Sequence, residues 1–170
     1  MIVLIGFMGA GKTTVGSLLA ARLGLPFDDA DLVIESRAGR RIRDIFAVDG
    51  EPAFRALEHE VTAELLDGAD AVIALGGGAA EHPATRERLR GCQVIYLQVR
   101  YDEALQRVAA DAGRPLLRAP DLRDIFERRQ ATYESVATHV VRTGGRSPEL
   151  ICQDIIGRLR GAEARGAGHT

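Results

Sequence analysis

The stretch Gly6-Phe7-Met8-Gly9-Ala10-Gly11-Lys12-Thr13 decides the fold. Before it, Met1–Ile5 is a short apolar run rich in β-branched residues, which predicts a buried strand. After it, apolar residues recur at helical spacing over 14–23, and Gly24 is a typical helix end. A strand, a glycine-rich loop ending in Gly-Lys-Thr and a helix are the three parts of a P-loop. The alternative is an ordinary glycine-rich turn, which the fixed positions of the pattern and its correct flanks disfavour.

A P-loop predicts a site for the phosphates of a nucleotide. Backbone N–H groups of a glycine-rich loop turn inward around a phosphate, and the N-terminus of the following helix adds positive potential. Lys12 would then reach the β- and γ-phosphates of ATP, and the hydroxyl of Thr13 would hold Mg²⁺, with one ion per active site. The residues of this loop expected to bind the nucleotide are Gly9, Ala10, Gly11, Lys12, Thr13 and Thr14.

Size and composition predict one globular domain over residues 1–160 and a tail, 161–170, that is expected to be disordered. Hydrophobic residues make up 46% of the sequence, charged residues 27%, and the net charge is −2. With this balance and no basic block, the sequence predicts neither a nucleic-acid nor a membrane partner. The first apolar run is used as a strand and has no charged segment before it, so we expect a cytoplasmic protein without a signal peptide. No spare apolar stripe remains, which favours a monomer.

Short apolar strands alternate with helical segments along the whole sequence. This alternation predicts a parallel sheet covered by helices on both faces, which is a three-layer α/β/α fold. The longest loop, 111–120, lies in a segment, 110–121, that is expected to form a mobile lid. The five strands are predicted at residues 1–5, 25–28, 71–75, 94–99 and 139–142.

Chemically distinctive segments follow the first three strands: the P-loop, Asp28–Asp31 and Gly76–Gly78. In a parallel sheet these segments meet at one edge, where ligands bind. Beside a P-loop, one of the carboxylates of Asp29 and Asp31 can hold the magnesium shell while the other points at a second substrate. The alternative is helix capping, for which aspartate is also favoured. Three consecutive glycines suggest close approach of the backbone to a ligand, or merely a tight turn.

Three arginines are candidates for binding anionic groups. Arg55 and Glu58 are three apart on one predicted helix and therefore share a face, either as an anion site or as an ordinary surface ion pair. Arg114, in the long loop, would approach the transferred phosphoryl group when the lid closes, or would simply be solvated. Arg129 lies four residues before Tyr133 on a later helix, a pair that alone indicates nothing.

Together, these segments resemble the shikimate kinase family of nucleoside-monophosphate-kinase-like P-loop proteins. The resemblance extends from Met1 to about Arg160. Its marks are the run Gly-Phe-Met-Gly-Ala-Gly-Lys-Thr-Thr-Val-Gly, Asp29-x-Asp31, Ile45-Phe46 with Gly50-Glu51, Phe54-Arg55-x-Leu57-Glu58, Gly76-Gly77-Gly78, Arg114-Pro115-Leu116-Leu117, and Arg129 with Tyr133.

The resemblance implies a specific reaction and specific roles. Such enzymes transfer the γ-phosphoryl group of ATP to the 3-hydroxyl of shikimate, on the route to chorismate and the aromatic amino acids. By motif match, Asp29 belongs to the magnesium site, and Asp31 binds the ring hydroxyls near the attacking one. Arg55 and Arg129 would hold the shikimate carboxylate, and the backbone of Gly77–Gly78 would contact the ring. The implied catalytic residues are Lys12, Asp31 and Arg114.

The nucleotide side of the site is implied by the same resemblance. Arg114 matches the lid arginine, and Arg107 matches a residue that stacks on adenine, a role that suits a flat guanidinium. Arg146 and Pro148 fall where the family has its adenine loop. One position departs from the family pattern: Ala30 stands where a serine or threonine is usual, so a hydroxyl contact near the magnesium shell is missing.

Two other functions remain open on sequence grounds. A kinase for a related cyclitol or a sugar acid would share the P-loop and the aspartate pair, although Arg55 and Arg129 favour an acceptor with a carboxylate. A nucleotide-binding regulatory module would need the P-loop alone, and the joint presence of Asp31, Arg55 and Arg129 disfavours it.

Overall fold

The computed structural model describes residues 1–109 and 121–166, with side chains described up to residue 162. Of the predicted lid, 110–121, only residue 121 belongs to the described residues. Arg114 lies outside them. None of the helices in these two ranges combines the length and the apolar character of a membrane span.

The described chain alternates strands with helices, as the sequence predicts. The elements are β1 (Ile2–Ile5), α1 (Lys12–Leu23), β2 (Phe27–Asp29), α2 (Ala30–Ala38), α3 (Ile42–Val48), α4 (Gly50–Leu66), β3 (Val72–Ala74), a 3₁₀ turn η1 (Ala79–Glu81), α5 (Pro83–Leu89), β4 (Gln93–Gln98), α6 (Tyr101–Val108), α7 (Leu122–Val136), β5 (His139–Arg142) and α8 (Pro148–Gly166).

The five strands form one sheet in the order β2-β3-β1-β4-β5, and every neighbouring pair is parallel. Ile2, at the start of β1, pairs with Val72 of β3 on one side and with Gln93 of β4 on the other. All four residues of β1 are buried, because the strand is central and helices cover both faces of the sheet. The predicted three-layer α/β/α fold with a five-stranded parallel sheet is confirmed.

A second, smaller core lies beside the sheet. Its buried members come from α2, α3 and α4, and they are Ile34, Ile45, Phe54 and Val61. The rings of Phe46 and Phe54 contribute a contact with centroids 4.6 Å apart. These three helices are therefore packed as a unit, and that unit carries Asp31, Arg55 and Glu58 towards the carboxyl edge of the sheet.

Several element bounds differ from the sequence prediction. Helix α2 begins at Ala30, directly after β2, so Asp31 lies in its first turn instead of in a loop. Helix α4 begins at Gly50, ahead of the expected start at Pro52. Helix α8 continues to Gly166 instead of ending near Arg160, so residues 161–166 of the tail expected to be disordered are helical. The short turn η1 was not predicted, because three residues are too few to show helical periodicity.

Candidate active site

The P-loop runs between β1 and α1, and backbone geometry explains its glycines. Gly9 has φ 77°, and a methyl group there would lie 2.7 Å from the carbonyl oxygen of Ala104. Gly11 has φ 90° and precedes the first residue of α1 in a left-handed conformation. Side chains rarely adopt such φ values, so both positions require glycine. The Nζ atom of Lys12 lies at this loop and donates to the carbonyl oxygen of Gly6 at 2.8 Å.

Thr13 and Asp29 meet at the edge between α1 and β2. The hydroxyl of Thr13 donates to Asp29 Oδ2 at 2.6 Å, while Asp29 Oδ1 accepts from the backbone N–H of Asp31 at 3.0 Å. Asp29 therefore does cap α2, as the alternative interpretation of the sequence held, and its other oxygen still faces the P-loop helix. The capping bond fixes the carboxylate beside Thr13.

These oxygens fit a magnesium ion. Mg²⁺ prefers hard oxygen ligands, and in kinases it uses one or two protein groups together with waters and nucleotide phosphates. Thr13 and Asp29 supply one hydroxyl and one carboxylate at the mouth of the P-loop. In the described ranges, no three His, Cys, Asp or Glu side chains cluster to form a closed protein cage for a metal. The donor set therefore suits an ion that binds together with the nucleotide.

The carboxylates of Asp31 and Glu58 both lie close to Gly76. A methyl group at Gly76 would lie 2.9 Å from Asp31 Oδ1 and 2.7 Å from Glu58 Oε1. Any side chain larger than glycine would thus displace one of two acidic groups at the end of β3. This steric requirement explains the first of the three glycines better than a tight turn does.

Arg55 is held by two glutamates of its own helix. Its Nη1 donates to Glu58 Oε2 at 2.6 Å, and its Nε and Nη2 both donate to Glu51 Oε1, at 3.2 and 3.1 Å. Glu58 is only 4% exposed. Burial raises the pKa of Glu58 above its ordinary value and outweighs the attraction of Arg55, which lowers it. The predicted shared face of Arg55 and Glu58 is confirmed, and the pair is partly buried.

Arg129 lies on α7, and its guanidinium approaches Gly77 and Gly78. It is 3% exposed, and its Nη2 would lie 3.0 Å from a methyl group at Gly78. The same methyl group would collide with the guanidinium of Arg55. Gly78 therefore lies between two guanidinium groups, which the sequence separates by more than seventy residues.

Tyr133, one turn after Arg129 on α7, holds the backbone of the glycine segment, Gly76–Gly78. Its hydroxyl donates to the carbonyl oxygen of Gly77, and its ring is 1% exposed. Burial raises the pKa of the Tyr133 hydroxyl strongly, so it remains a proton donor at neutral pH. The tyrosine thus holds the backbone on which the two arginines converge.

The two arginines expected near adenine have different surroundings. Arg107 bridges the P-loop and the end of β5: its Nη1 donates to the Gly9 carbonyl at 3.0 Å, and its Nη2 donates to the Thr143 carbonyl at 3.2 Å. Arg146 instead contacts Asp154 at 3.0 Å and the Leu150 carbonyl at 3.2 Å, both on α8. Arg107 is therefore adjacent to the phosphate loop, whereas the contacts of Arg146 are those of a residue that closes the turn before α8.

The sequence analysis assigns no role to two glutamates of this geometry: Glu51 is named only as a mark of the family resemblance, and Glu81 is not named. Glu81, the last residue of η1, accepts from Arg129 Nε at 2.8 Å, and Glu51 holds Arg55. Glu51 lies four residues before Arg55. Because α4 begins at Gly50, both residues are helical and this spacing places them on one face. Glu81 has no such local signal, because its partner is 48 residues away in sequence.

The sequence and the fold are similar to those of known shikimate kinases. A family model described as shikimate kinase matches residues 8–160. The shikimate kinase of Thermobifida fusca is 47% identical over 165 residues, covering 95% of this chain and 96% of the relative. That of Rhodococcus jostii is 42% identical over 161 residues, covering 92% and 96%. A solved structure of shikimate kinase from Acinetobacter baumannii in complex with shikimate has a TM-score of 0.90 at 38% identity, covering 95% and 93% of the two chains.

Proposed function

Since the chain belongs to the shikimate kinase family, we propose that the residues at the carboxyl edge of its sheet transfer the γ-phosphoryl group of ATP to the 3-hydroxyl of shikimate. The activity itself is that of an ATP-dependent kinase acting on a hydroxyl of shikimate. We assign the acceptor, the triphosphate and the metal ion to separate groups of residues at this edge.

The convergence of Arg55 and Arg129 at Gly78 carries the assignment of the acceptor site. Two guanidinium groups from different helices meet at Gly78, two residues after Gly76, to which the Asp31 carboxylate lies close. Guanidinium binds a carboxylate through paired hydrogen bonds, whereas a carboxylate such as Asp31 accepts hydrogen bonds from ring hydroxyls. This combination fits a small cyclic polyol with a carboxylate at one end. The backbone of Gly77–Gly78 would contact its ring.

The triphosphate would be bound by the P-loop. Its ligands would be Lys12 and the backbone amides of Gly9, Ala10, Gly11, Thr13 and Thr14. The ammonium of Lys12 lies against the loop carbonyls of Gly6 and Phe7, within reach of the cavity that a β-phosphate occupies in P-loops. The transition state of phosphoryl transfer is loose and spreads negative charge over the equatorial oxygens, so a fixed cation at this place lowers the barrier.

Thr13 and Asp29 would hold Mg²⁺ together with the nucleotide. When bound, the ion neutralises charge on the β- and γ-phosphates. The protein contributes the fixed Thr13–Asp29 pair. Ala30, where the family usually has a hydroxyl, is fully buried and offers no further ligand.

Asp31 would act mainly as a positioning group for the attacking hydroxyl. Little proton removal is needed early in a loose transition state, so a carboxylate that orients the hydroxyl is worth more than a strong base. Arg114 would meet the developing charge from the lid, and Arg107, beside Gly9, would flank the adenine. By its place in the family pattern Arg146 would also lie on the adenine side, and its side chain contacts α8 and the Arg142 carbonyl.

We further propose that the enzyme works as a monomer in the cytoplasm, where ATP is supplied. Four large hydrophobic residues are exposed in the described ranges: Leu32 on α2, Val48 on α3, Val140 on β5 and Leu150 on α8. A stable protein–protein interface takes about 20–30 residues from each partner, so the presence of only four exposed large apolar side chains among the described residues favours a monomer.

A coupled assay of ADP release tests the acceptor. The panel consists of shikimate, quinate, gluconate and neutral cyclitols. We expect shikimate to be turned over with the highest kcat/KM and the neutral cyclitols to be very poor acceptors, because they lack the carboxylate. Equal turnover of neutral cyclitols would show that the arginine pair does not select the acceptor.

A further inference from the structure

Glu81 and Arg129 form a partly buried ion pair beside the glycine segment. Arg129 is 3% exposed and Glu81 29%. The Nε–H of Arg129 donates to Glu81 Oε2 at 2.8 Å, and the second oxygen of Glu81 accepts from Nε of Arg128 at 3.1 Å. Both carboxylate oxygens are thus engaged by arginines of α7, and the guanidinium of Arg129 is held from one side.

This contact limits how Arg129 can bind an anion. A guanidinium offers a carboxylate two kinds of fork, either Nε with one Nη or the two Nη atoms together. Glu81 occupies the Nε donor, so the fork that remains consists of Nη1 and Nη2. These two atoms are the ones that approach the glycines: Nη1 would lie 3.5 Å from a methyl group at Gly77, and Nη2 3.0 Å from one at Gly78.

The backbone of Glu81 is itself fixed. Its N–H donates to the Gly78 carbonyl at 2.9 Å, and its carbonyl accepts from Nη1 of Arg86 at 2.7 Å. The turn η1 therefore links the glycine segment directly to the group that orients Arg129. Burial raises the pKa of Glu81, but Arg129 and Arg128 more than offset it, and the net shift is downward. The carboxylate is consequently ionised at neutral pH.

Arg55, across Gly78, is held in the same manner by Glu58 and Glu51. A long arginine side chain loses rotamer freedom when it binds, and a partner that fixes it beforehand lowers that cost. We propose that Glu81 is a positioning residue for the acceptor: it fixes Arg129 so that the Nη1–Nη2 fork meets the shikimate carboxylate end-on. This inference rests on the proposed role of Arg129.

The test compares Glu81→Gln with the wild-type enzyme. Glutamine keeps the shape and an acceptor oxygen but loses the charge, so the fork is held less firmly. We expect the Kd of shikimate, by titration calorimetry, and its KM to rise about tenfold, with KM for ATP and kcat changing less than about twofold. The matched control is Glu87→Gln on the neighbouring α5, whose carboxylate pairs with Arg90 at 2.8 Å but is exposed. We expect this control to leave all constants unchanged.

Arg129→Lys separates failure of this proposal from failure of the role of Arg129. Lysine keeps the charge and has no fork for Glu81 to orient. The double variant, Glu81→Gln with Arg129→Lys, should therefore have a Kd for shikimate less than about twofold above that of Arg129→Lys alone. If Arg129→Lys weakens shikimate binding but Glu81→Gln does not, the positioning role of Glu81 is wrong and that of Arg129 stands. If neither change affects shikimate binding, the role of Arg129 is wrong. An equal rise in the constants for ATP and shikimate in Glu81→Gln would mean a general structural role and would also overturn the proposal.

Discussion

The hydroxyl of Thr13 lies 2.6 Å from Oδ2 of Asp29, which joins the first turn of α1 to the end of β2. The other oxygen of Asp29 caps α2 and thereby fixes the position of Asp31 two residues later. The proposed magnesium ligands and the group proposed to orient the acceptor are therefore parts of one hydrogen-bonded unit. A change at Asp29 is transmitted to both.

Asp29→Asn should raise the free Mg²⁺ concentration needed for half-maximal rate. The amide keeps a capping oxygen for α2 but loses the charge that favours the ion, so we expect an increase of about tenfold or more. Initial rates measured against free Mg²⁺ at saturating shikimate give the number. Asp28→Asn, one residue earlier on the same strand, is the matched control, because neighbouring side chains of a strand point to opposite faces. An equal effect of both changes would rule out a specific role of Asp29.

Asp31→Asn should reduce turnover far more than it weakens ATP binding. Its carboxylate lies beside Gly76 at the acceptor side, so the loss affects orientation of the attacking hydroxyl. We expect kcat to fall about a hundredfold or more, with the Kd of ATP nearly unchanged. Steady-state kinetics with separate ATP titrations measure both. Loss of ATP affinity with normal shikimate affinity would mean that the roles of Asp29 and Asp31 are exchanged.

Glu58→Gln should change the pH dependence of stability. Burial raises the pKa of Glu58 above its ordinary value of 4.5, despite the opposing attraction of Arg55. The folded wild type then binds this proton more tightly than the unfolded chain does. Its stability contribution is largest below the unfolded pKa and falls as pH rises through the folded pKa. The Glu58→Gln variant has no titratable group at this position, so it lacks this pH-dependent contribution to stability.

Melting temperatures of Glu58→Gln and wild type between about pH 4.5 and about pH 7.5 measure this difference. We expect the melting temperature of the variant, relative to that of the wild type, to increase with pH over this window. A difference that stays constant, or that decreases with pH, would show that the pKa of Glu58 is not raised.

Arg114→Ala tests the predicted lid, which lies outside the described residues. An arginine that meets charge only when the loop closes contributes to the transition state more than to ground-state binding of ATP. We expect kcat to fall by about a hundredfold or more, and the Kd of ATP to change only severalfold. Arg118→Ala, in the same segment, is the control. Equal losses in ATP binding and turnover would make Arg114 an ordinary phosphate contact.

Local signals in the sequence predicted most of the fold and the P-loop. The P-loop could be identified because its strand, glycines, lysine and helix are contiguous, and the strands β1, β3 and β4 because buried parallel strands are continuous apolar runs. Arg55 and Glu58 could be paired because helical spacing places them together.

Contacts between distant segments could not be predicted in this way. The pair Glu81–Arg129 joins a 3₁₀ turn to α7, and no periodicity marks either residue. Arg146 was placed near adenine by family position, yet a short turn and Asp154 determine its contacts. The start of α2 differs from the prediction because Asp29 caps that helix directly. The start of α4 differs because Gly50, with φ 81°, adopts a left-handed conformation at its first position, which glycine allows.

The most direct test of the central claim is ³¹P NMR of the products formed from shikimate and MgATP by the purified protein, with Lys12→Ala in parallel. The account predicts ADP and one phosphate monoester, whose coupling places the phosphate on the 3-hydroxyl of shikimate. It also predicts that Lys12→Ala, still folded, slows this conversion by about a hundredfold or more, because a fixed cation at the transferred group is lost. Inorganic phosphate in place of the ester, or a phosphate on another hydroxyl, would contradict the account.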